Sequence, residues 1–126
     1  MARNLISVID DDESVRKSTA LLLESFGFRP ATCDSAESFF SSGYLNDSSC
    51  LIVDVQMPRM TGLQLQSKLV AAGNRTPIIF ITAYEDKKSR RLAMQAGAVG
   101  FLAKPFTDEQ LLRTIRFALR REKRAR

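Results

Sequence analysis

The apolar run LISVI, at Leu5–Ile9, is followed directly by three aspartates and then by a helical pattern. Two further apolar runs, both containing isoleucine, occupy Cys50–Val53 and Pro77–Thr82. Runs of this length are typical of parallel strands covered on both faces, because half-exposed strands alternate apolar and polar residues. The sequence therefore predicts a parallel sheet whose first strand is Leu5–Ile9.

Two weaker segments complete the predicted sheet. Val99–Ala103 is interrupted by a glycine, and Arg29–Cys33 contains Pro30. Since proline cannot donate a hydrogen bond to a neighbouring strand, Arg29–Cys33 is expected at an edge of the sheet.

Five helical stretches alternate with these five strands. Four of them end at a glycine, the residue most often found just beyond a helix C-terminus, and the fifth opens with Thr107 and Gln110 at capping-box spacing. The predicted helices are Glu13–Phe26, Ser35–Ser42, Gly62–Ala72, Asp86–Ala96 and Thr107–Arg121. The alternation predicts an α/β, doubly wound fold with a five-stranded parallel sheet and five helices. With the weak second strand at the edge, the flavodoxin-like strand order 2-1-3-4-5 is expected, and ligand chemistry belongs at the carboxyl ends of the first and third strands.

Composition excludes several kinds of site. The 126 residues are enough for one domain, and they include no histidine, which excludes a Ser-His-Asp triad, a Cys-His pair and a histidine zinc site. The two cysteines, Cys33 and Cys50, are too far apart in sequence for a CxxC pair, and this usage suits a reducing cytoplasm. The first apolar run is too short for a signal peptide or a membrane span, so we expect a cytoplasmic protein with no membrane partner.

The positive charge is concentrated at the C-terminus. The net charge is +5, yet residues 113–126 alone contain seven Lys and Arg against one Glu. We interpret this end as a solvated helix that continues into a linker, with nucleic-acid contact or partner binding as alternatives. Residues 1–121 are therefore predicted to form the domain, and residues 122–126 a basic tail or linker stub.

Polar residues end or directly follow four of the five predicted strands. They are Asp10, Asp11, Asp12, Asp54, Thr82 and Lys104. Each has an ordinary interpretation as a helix cap, a turn or a surface residue, but all of them are expected at one edge of the sheet. Clustered carboxylates repel each other, and a hard divalent cation such as Mg²⁺ would balance them. A carboxylate beside such an ion can attack phosphorus, while a lysine and a hydroxyl contact the phosphoryl oxygens. No glycine-rich phosphate loop is present, so a nucleotide is not implied.

At four segments the chain resembles the receiver domain of two-component response regulators. These segments are Val8–Glu13, Asp54–Gly62, Ile81–Ala83 and Phe101–Phe106. The resemblance covers residues 4–120 and is strongest to FixJ-type (LuxR/NarL-class) receivers, which are often joined to a LuxR-type helix-turn-helix output domain. It implies the CheY-like version of the fold, with residues 1–121 as the phosphoacceptor domain.

The resemblance also implies a metal site. Asp54 matches the phosphoacceptor, and Asp10 and Asp11 match the acidic pair that binds Mg²⁺ (or Mn²⁺) together with it. Gln56 matches the position whose backbone carbonyl completes the protein ligands.

Three further positions match the family's switch. Thr82 corresponds to the switch hydroxyl, Lys104 to the phosphate-binding lysine, and Phe101 to the switch aromatic. Phe101 is equally well interpreted as a core residue. The Lys104–Pro105 peptide is usually cis in the family.

The implied function is a signalling switch rather than an ordinary enzyme, although the domain would promote its own phosphorylation and dephosphorylation. A sensor histidine kinase or a small acyl phosphate would phosphorylate Asp54. The helix Asp86–Ala96, the fifth strand and the helix Thr107–Arg121 would then control homodimerisation or an output domain, with transcription as the expected output. The main alternative is a receiver-like interaction domain that is not phosphorylated. A phosphatase of the haloacid-dehalogenase kind is disfavoured, because Gln56 stands where that class has a second acid.

Overall fold

A computed structural model describes residues 3–125. Within them lies a single five-stranded sheet in which all neighbouring strands are parallel. The strands are β1 (Leu5–Ile9), β2 (Arg29–Cys33), β3 (Ser48–Asp54), β4 (Ile78–Thr82) and β5 (Gly100–Ala103). Their order, β2-β1-β3-β4-β5, confirms the predicted topology. The strand that contains Pro30 lies at the edge, as expected.

Six helices occur in the described chain, one more than the sequence predicts. They are α1 (Glu13–Ser25), α2 (Ala36–Ser42), α3 (Tyr44–Asp47), α4 (Gly62–Ala71), α5 (Lys87–Gln95) and α6 (Asp108–Ala125). The prediction of five helices was wrong because of α3, a four-residue helix with no buried residue. A single exposed turn has no apolar period that could reveal it. Helix α6 extends four residues beyond the predicted end at Arg121.

The apolar strands are buried on both faces. In β3, Leu51 and Val53 belong to a cluster with residues of α2, α4 and α5, whereas Cys50 and Ile52 belong to a second cluster with residues of α1 and α6. Successive side chains of a strand point to opposite faces, so a continuous apolar run serves both clusters at once.

Side-chain caps mark the start of several helices. The Asp12 carboxylate accepts a hydrogen bond from the Val15 backbone N–H and caps α1. At the start of α6 the Thr107 hydroxyl accepts from the Gln110 backbone N–H, and the Gln110 side chain accepts from the Thr107 N–H, which confirms the predicted capping box. Between Arg3 and Ala125, no helix combines the length and the apolar character needed to cross a membrane.

Candidate functional site

Three carboxylates meet where β1 and β3 end. Asp10 follows β1, Asp54 is the last residue of β3, and these two strands are neighbours in the sheet. One oxygen from each of Asp10, Asp11 and Asp54 lies within 4.8 Å of the other two. Asp12 has a different role, because its carboxylate caps α1. The acidic run thus supplies two residues to the cluster and one to the helix.

The backbone orients two of these carboxylates. The Asp12 N–H donates to Asp10 Oδ1 at 2.9 Å, and the Gln56 N–H donates to Asp54 Oδ1 at 3.2 Å. The Arg16 guanidinium donates to the Asp10 carbonyl at 2.9 Å and so ties α1 to the end of β1. Asp10 is only 3% exposed, so its carboxylate is held in a largely dry environment.

Burial and nearby negative charges make Asp10 and Asp54 hard to ionise. Burial, reinforced by the negative charges of Asp10 and Asp11, raises the pKa of Asp54 to about 7. The pKa of Asp10 is also raised, first by burial and then by the charge of Asp11. A divalent cation would relieve this repulsion, and a donor set made only of oxygens suits Mg²⁺ or Mn²⁺ better than a softer metal.

A hydroxyl and an amine border the same site. The Thr82 side chain, at the end of β4, is 3% exposed, and its hydroxyl donates to the Tyr84 carbonyl at 2.9 Å and accepts from the Tyr84 N–H at 3.2 Å. Lys104 follows β5, and its backbone N–H donates to the Thr82 carbonyl at 2.9 Å. The Lys104–Pro105 peptide is cis.

A pocket of about 230 Å³ collects these groups. It is lined by Asp10, Asp11, Asp12, Val15, Asp54, Gln56, Ile81, Thr82, Ala83 and Lys104. Six of the seven residues that the sequence singles out for metal, phosphoryl or switch roles are therefore in one place, although they span most of the chain.

Phe101 is the residue that lies elsewhere. Its side chain is 4% exposed and packs in the core, with its ring centroid 6.2 Å from that of Phe80. The Arg90 guanidinium lies over the same ring, 5.0 Å from its centroid. The core interpretation of Phe101 thus describes where the ring is, while its part in switching stays a prediction.

Two features near the site were not found from the sequence. A Cβ on Gly62 would collide with the backbone carbonyl oxygen of Asp54, so α4 can begin this close to the end of β3 only with glycine. The motif Asp54–Gly62 was the available signal, but no spacing rule gives the reason. Arg90 on α5 contacts Phe101 on β5, the next element of the chain, and no local sequence pattern indicates this side-chain contact.

Comparisons with known proteins identify the family. Residues 6–116 match the model of the response regulator receiver domain. The response regulator protein TmoT of Ectopseudomonas mendocina is 40% identical over 117 residues, which are 93% of this chain and 53% of that protein. The transcriptional regulatory protein FixJ of Azorhizobium caulinodans is 40% identical over 116 residues, 92% of this chain and 55% of that protein. The chain thus spans about half the length of these curated relatives.

Solved structures agree with the sequence relatives. The crystal structure of FixJ-N superposes with a TM-score of 0.85 at 35% identity and covers 95% of this chain and 96% of that one. The structure of the response regulator StyR gives a TM-score of 0.90 at 40% identity and covers 98% of this chain and 63% of that one. The match of family, relatives and fold leads to one conclusion: the chain belongs to the response regulator receiver domain family.

Proposed function

We propose that this receiver domain is a phosphoacceptor switch in which Asp54 takes up a phosphoryl group. One observation above all supports this function. The Asp54 carboxylate has two other carboxylates within 4.8 Å, in a pocket that Thr82 and Lys104 also line. A nucleophile, a cation-binding pair, a hydroxyl and an amine are the groups that phosphoryl transfer to a carboxylate needs.

The metal would be Mg²⁺ or Mn²⁺. Asp10, Asp11 and Asp54 would hold it through carboxylate oxygens, and the Gln56 backbone carbonyl would complete the protein ligands. When bound, the ion offsets the charge of the carboxylates and of the incoming phosphoryl oxygens.

The transfer itself forms one bond and breaks one. An Asp54 oxygen attacks phosphorus, an acyl phosphate forms, and the donor leaves with the electron pair of the broken bond. The Lys104 ammonium and the Thr82 hydroxyl then contact phosphoryl oxygens. Thr82 cannot make this contact with its hydroxyl proton and still donate that proton to the Tyr84 carbonyl, so the Tyr84 hydrogen bond is exchanged for the new one.

A histidine phosphoryl donor would have to lie outside this sequence, which contains no histidine. We assign that role to a sensor histidine kinase, with a small acyl phosphate as a substitute. Relatives are named as transcriptional regulatory proteins, which supports a DNA-binding output domain of the LuxR type. The surface formed by α5, β5 and α6 would carry the signal to it, through homodimerisation or direct contact.

Intact mass spectrometry tests this function. The protein is incubated with acetyl phosphate and Mg²⁺, beside Asp54→Ala and the matched control Asp34→Ala. Asp34 is an exposed aspartate just beyond β2, at the same edge of the sheet. We expect the mass of one phosphoryl group on the wild type and on Asp34→Ala, none on Asp54→Ala, and none with excess chelator. No gain under conditions that label another receiver would contradict phosphorylation and favour an interaction domain.

A further inference from the structure

The aromatic ring of Phe101 is covered by a cation from the neighbouring helix. Arg90, on α5, holds its guanidinium carbon 5.0 Å from the centre of the Phe101 ring on β5. A guanidinium over an aromatic face is attracted to the ring and shields it from water. Phe101 belongs to the core and is 4% exposed, whereas the Arg90 side chain that lies over its ring is 45% exposed.

Arg90 is itself held by a residue of the loop that follows β4. Arg90 Nε donates to Glu85 Oε1 at 2.9 Å. Three ion pairs occur in the part of the chain whose side chains are described. One of them, between Glu13 and Lys17, joins residues one turn apart within α1. The Glu85–Arg90 pair instead links different elements. Glu85 lies in the loop between β4 and α5, and Arg90 on α5 in turn contacts Phe101 of β5.

The loop that carries Glu85 is fixed by the hydroxyl of the switch threonine. Thr82 donates to the Tyr84 carbonyl and accepts from the Tyr84 N–H, and Glu85 is the next residue. Contacts therefore run without interruption from Thr82 in the pocket, through Tyr84, Glu85 and Arg90, to Phe101 in the core.

We infer that Arg90 is a positioning residue which, anchored by Glu85, holds Phe101 in the arrangement of the unphosphorylated domain. The inference rests on the proposed function. Once the Thr82 hydroxyl turns to a phosphoryl group, the Tyr84 bonds that order the loop are lost and Glu85 no longer anchors Arg90. The guanidinium then leaves the ring, and the α5–β5 surface changes.

The direction of the effect follows from linkage. A contact made only in the unphosphorylated arrangement opposes the other arrangement, so its removal must strengthen the binding of any ligand that favours the latter. The domain would thus respond more readily without Arg90.

Beryllium fluoride with Mg²⁺ is the probe, since its adduct on a carboxylate imitates an acyl phosphate. Binding is followed by the ring signals of labelled phenylalanine, with Phe101→Leu used to assign the Phe101 signal. Arg90→Gln is expected to lower the half-saturating fluoride concentration about fivefold, the combined effect of one exposed cation–π contact and one exposed ion pair. Arg91→Gln is the matched control, because Arg91 is also exposed on α5 and loses the same charge. Equal titrations of the two variants would overturn the inference.

A double variant distinguishes an effect carried through the Glu85–Arg90 contact from a general loss of structure around α5. Glu85→Gln should reproduce the shift of Arg90→Gln, and the two together should add little, because the residues act in series. Arg90→Lys, which keeps a cation near Glu85 but has no planar group, should shift the titration less. Additive effects of Glu85→Gln and Arg90→Gln would show that they act separately and would overturn the series.

Failure of the proposed function has a different signature. If the wild type shows no binding of beryllium fluoride that depends on Asp54, both the phosphoacceptor function and the coupling to Arg90 fall. If the wild type binds beryllium fluoride and Arg90→Gln has the same half-saturating concentration as Arg91→Gln, only the proposed role of Arg90 is contradicted.

Discussion

The buried carboxyl of Asp54 should make the free energy of unfolding depend on pH. The pKa of its carboxyl is raised from 3.8, the ordinary value for an aspartate exposed to water, to about 7 in the folded protein, chiefly by burial. The folded state therefore binds more protons than the unfolded state between about pH 4 and pH 7, and stability must fall as pH rises through that range. With a chelator present, we expect the free energy of unfolding in urea to be higher at pH 5 than at pH 7.5.

Substitution at Asp54 should flatten this dependence. Asp54→Asn removes the titrating carboxyl, and Asp34→Asn, which removes an exposed carboxyl just beyond β2, is the matched control. A wild-type slope equal to that of Asp54→Asn would mean that Asp54 ionises normally in the fold.

Arg59 has a strained backbone conformation. Its φ is +64°, the left-handed region that non-glycine residues rarely adopt, and its pairing with Glu37 is long, at 3.5 Å, and exposed. Arg59→Gly and Arg59→Ala both lose the ion pair, but only glycine relieves the strain. We expect the glycine variant to be more stable by about 1 kcal/mol in urea unfolding. The usual order, in which alanine is the more stable of the two, would contradict this.

At the scale of elements, α4 depends on the absence of a side chain at its first residue. A Cβ at Gly62 would collide with the Asp54 carbonyl oxygen and approach the Phe80 ring. Gly62→Ala should lower the free energy of unfolding by about 2 kcal/mol, since the start of α4 must withdraw from β3. It should also slow the proposed phosphorylation of Asp54. Ser67→Ala, on an exposed position of α4, is the control and should change neither urea unfolding nor the rate of mass gain.

The elements themselves were largely predictable, and for a physical reason. The segments Leu5–Ile9 and Cys50–Val53 are strands buried on both faces, so nearly all of their residues are apolar and the runs are visible in the sequence. The position of Pro30 predicted the edge strand, because a missing N–H is tolerated there. No sequence pattern marks helix α3, because it is one turn long and buries no residue.

At the scale of the whole molecule, the candidate site was predictable because topology decides it. Once strand order is known, residues that end neighbouring inner strands are expected to lie close together, and Asp10, Asp54 and Thr82 do line one pocket. The contact between Arg90 and Phe101 was not predictable in this way. It depends on how far one side chain of α5 reaches across β5, which neither periodicity nor strand order determines.

The assembled sheet is also what creates the proposed cation site, so Mg²⁺ should report on folding. Asp10 and Asp54 are far apart in the unfolded chain, and a cation that binds only the folded state stabilises it, by about 1.4 kcal/mol at ten times its dissociation constant. Asp11→Asn should abolish this gain in urea unfolding. Asp12→Asn should retain it, because asparagine also caps a helix and Asp12 faces α1. Equal loss in both variants would mean that Mg²⁺ responds to the charge of the acidic run as a whole, and not to the carboxylates that meet at Asp54.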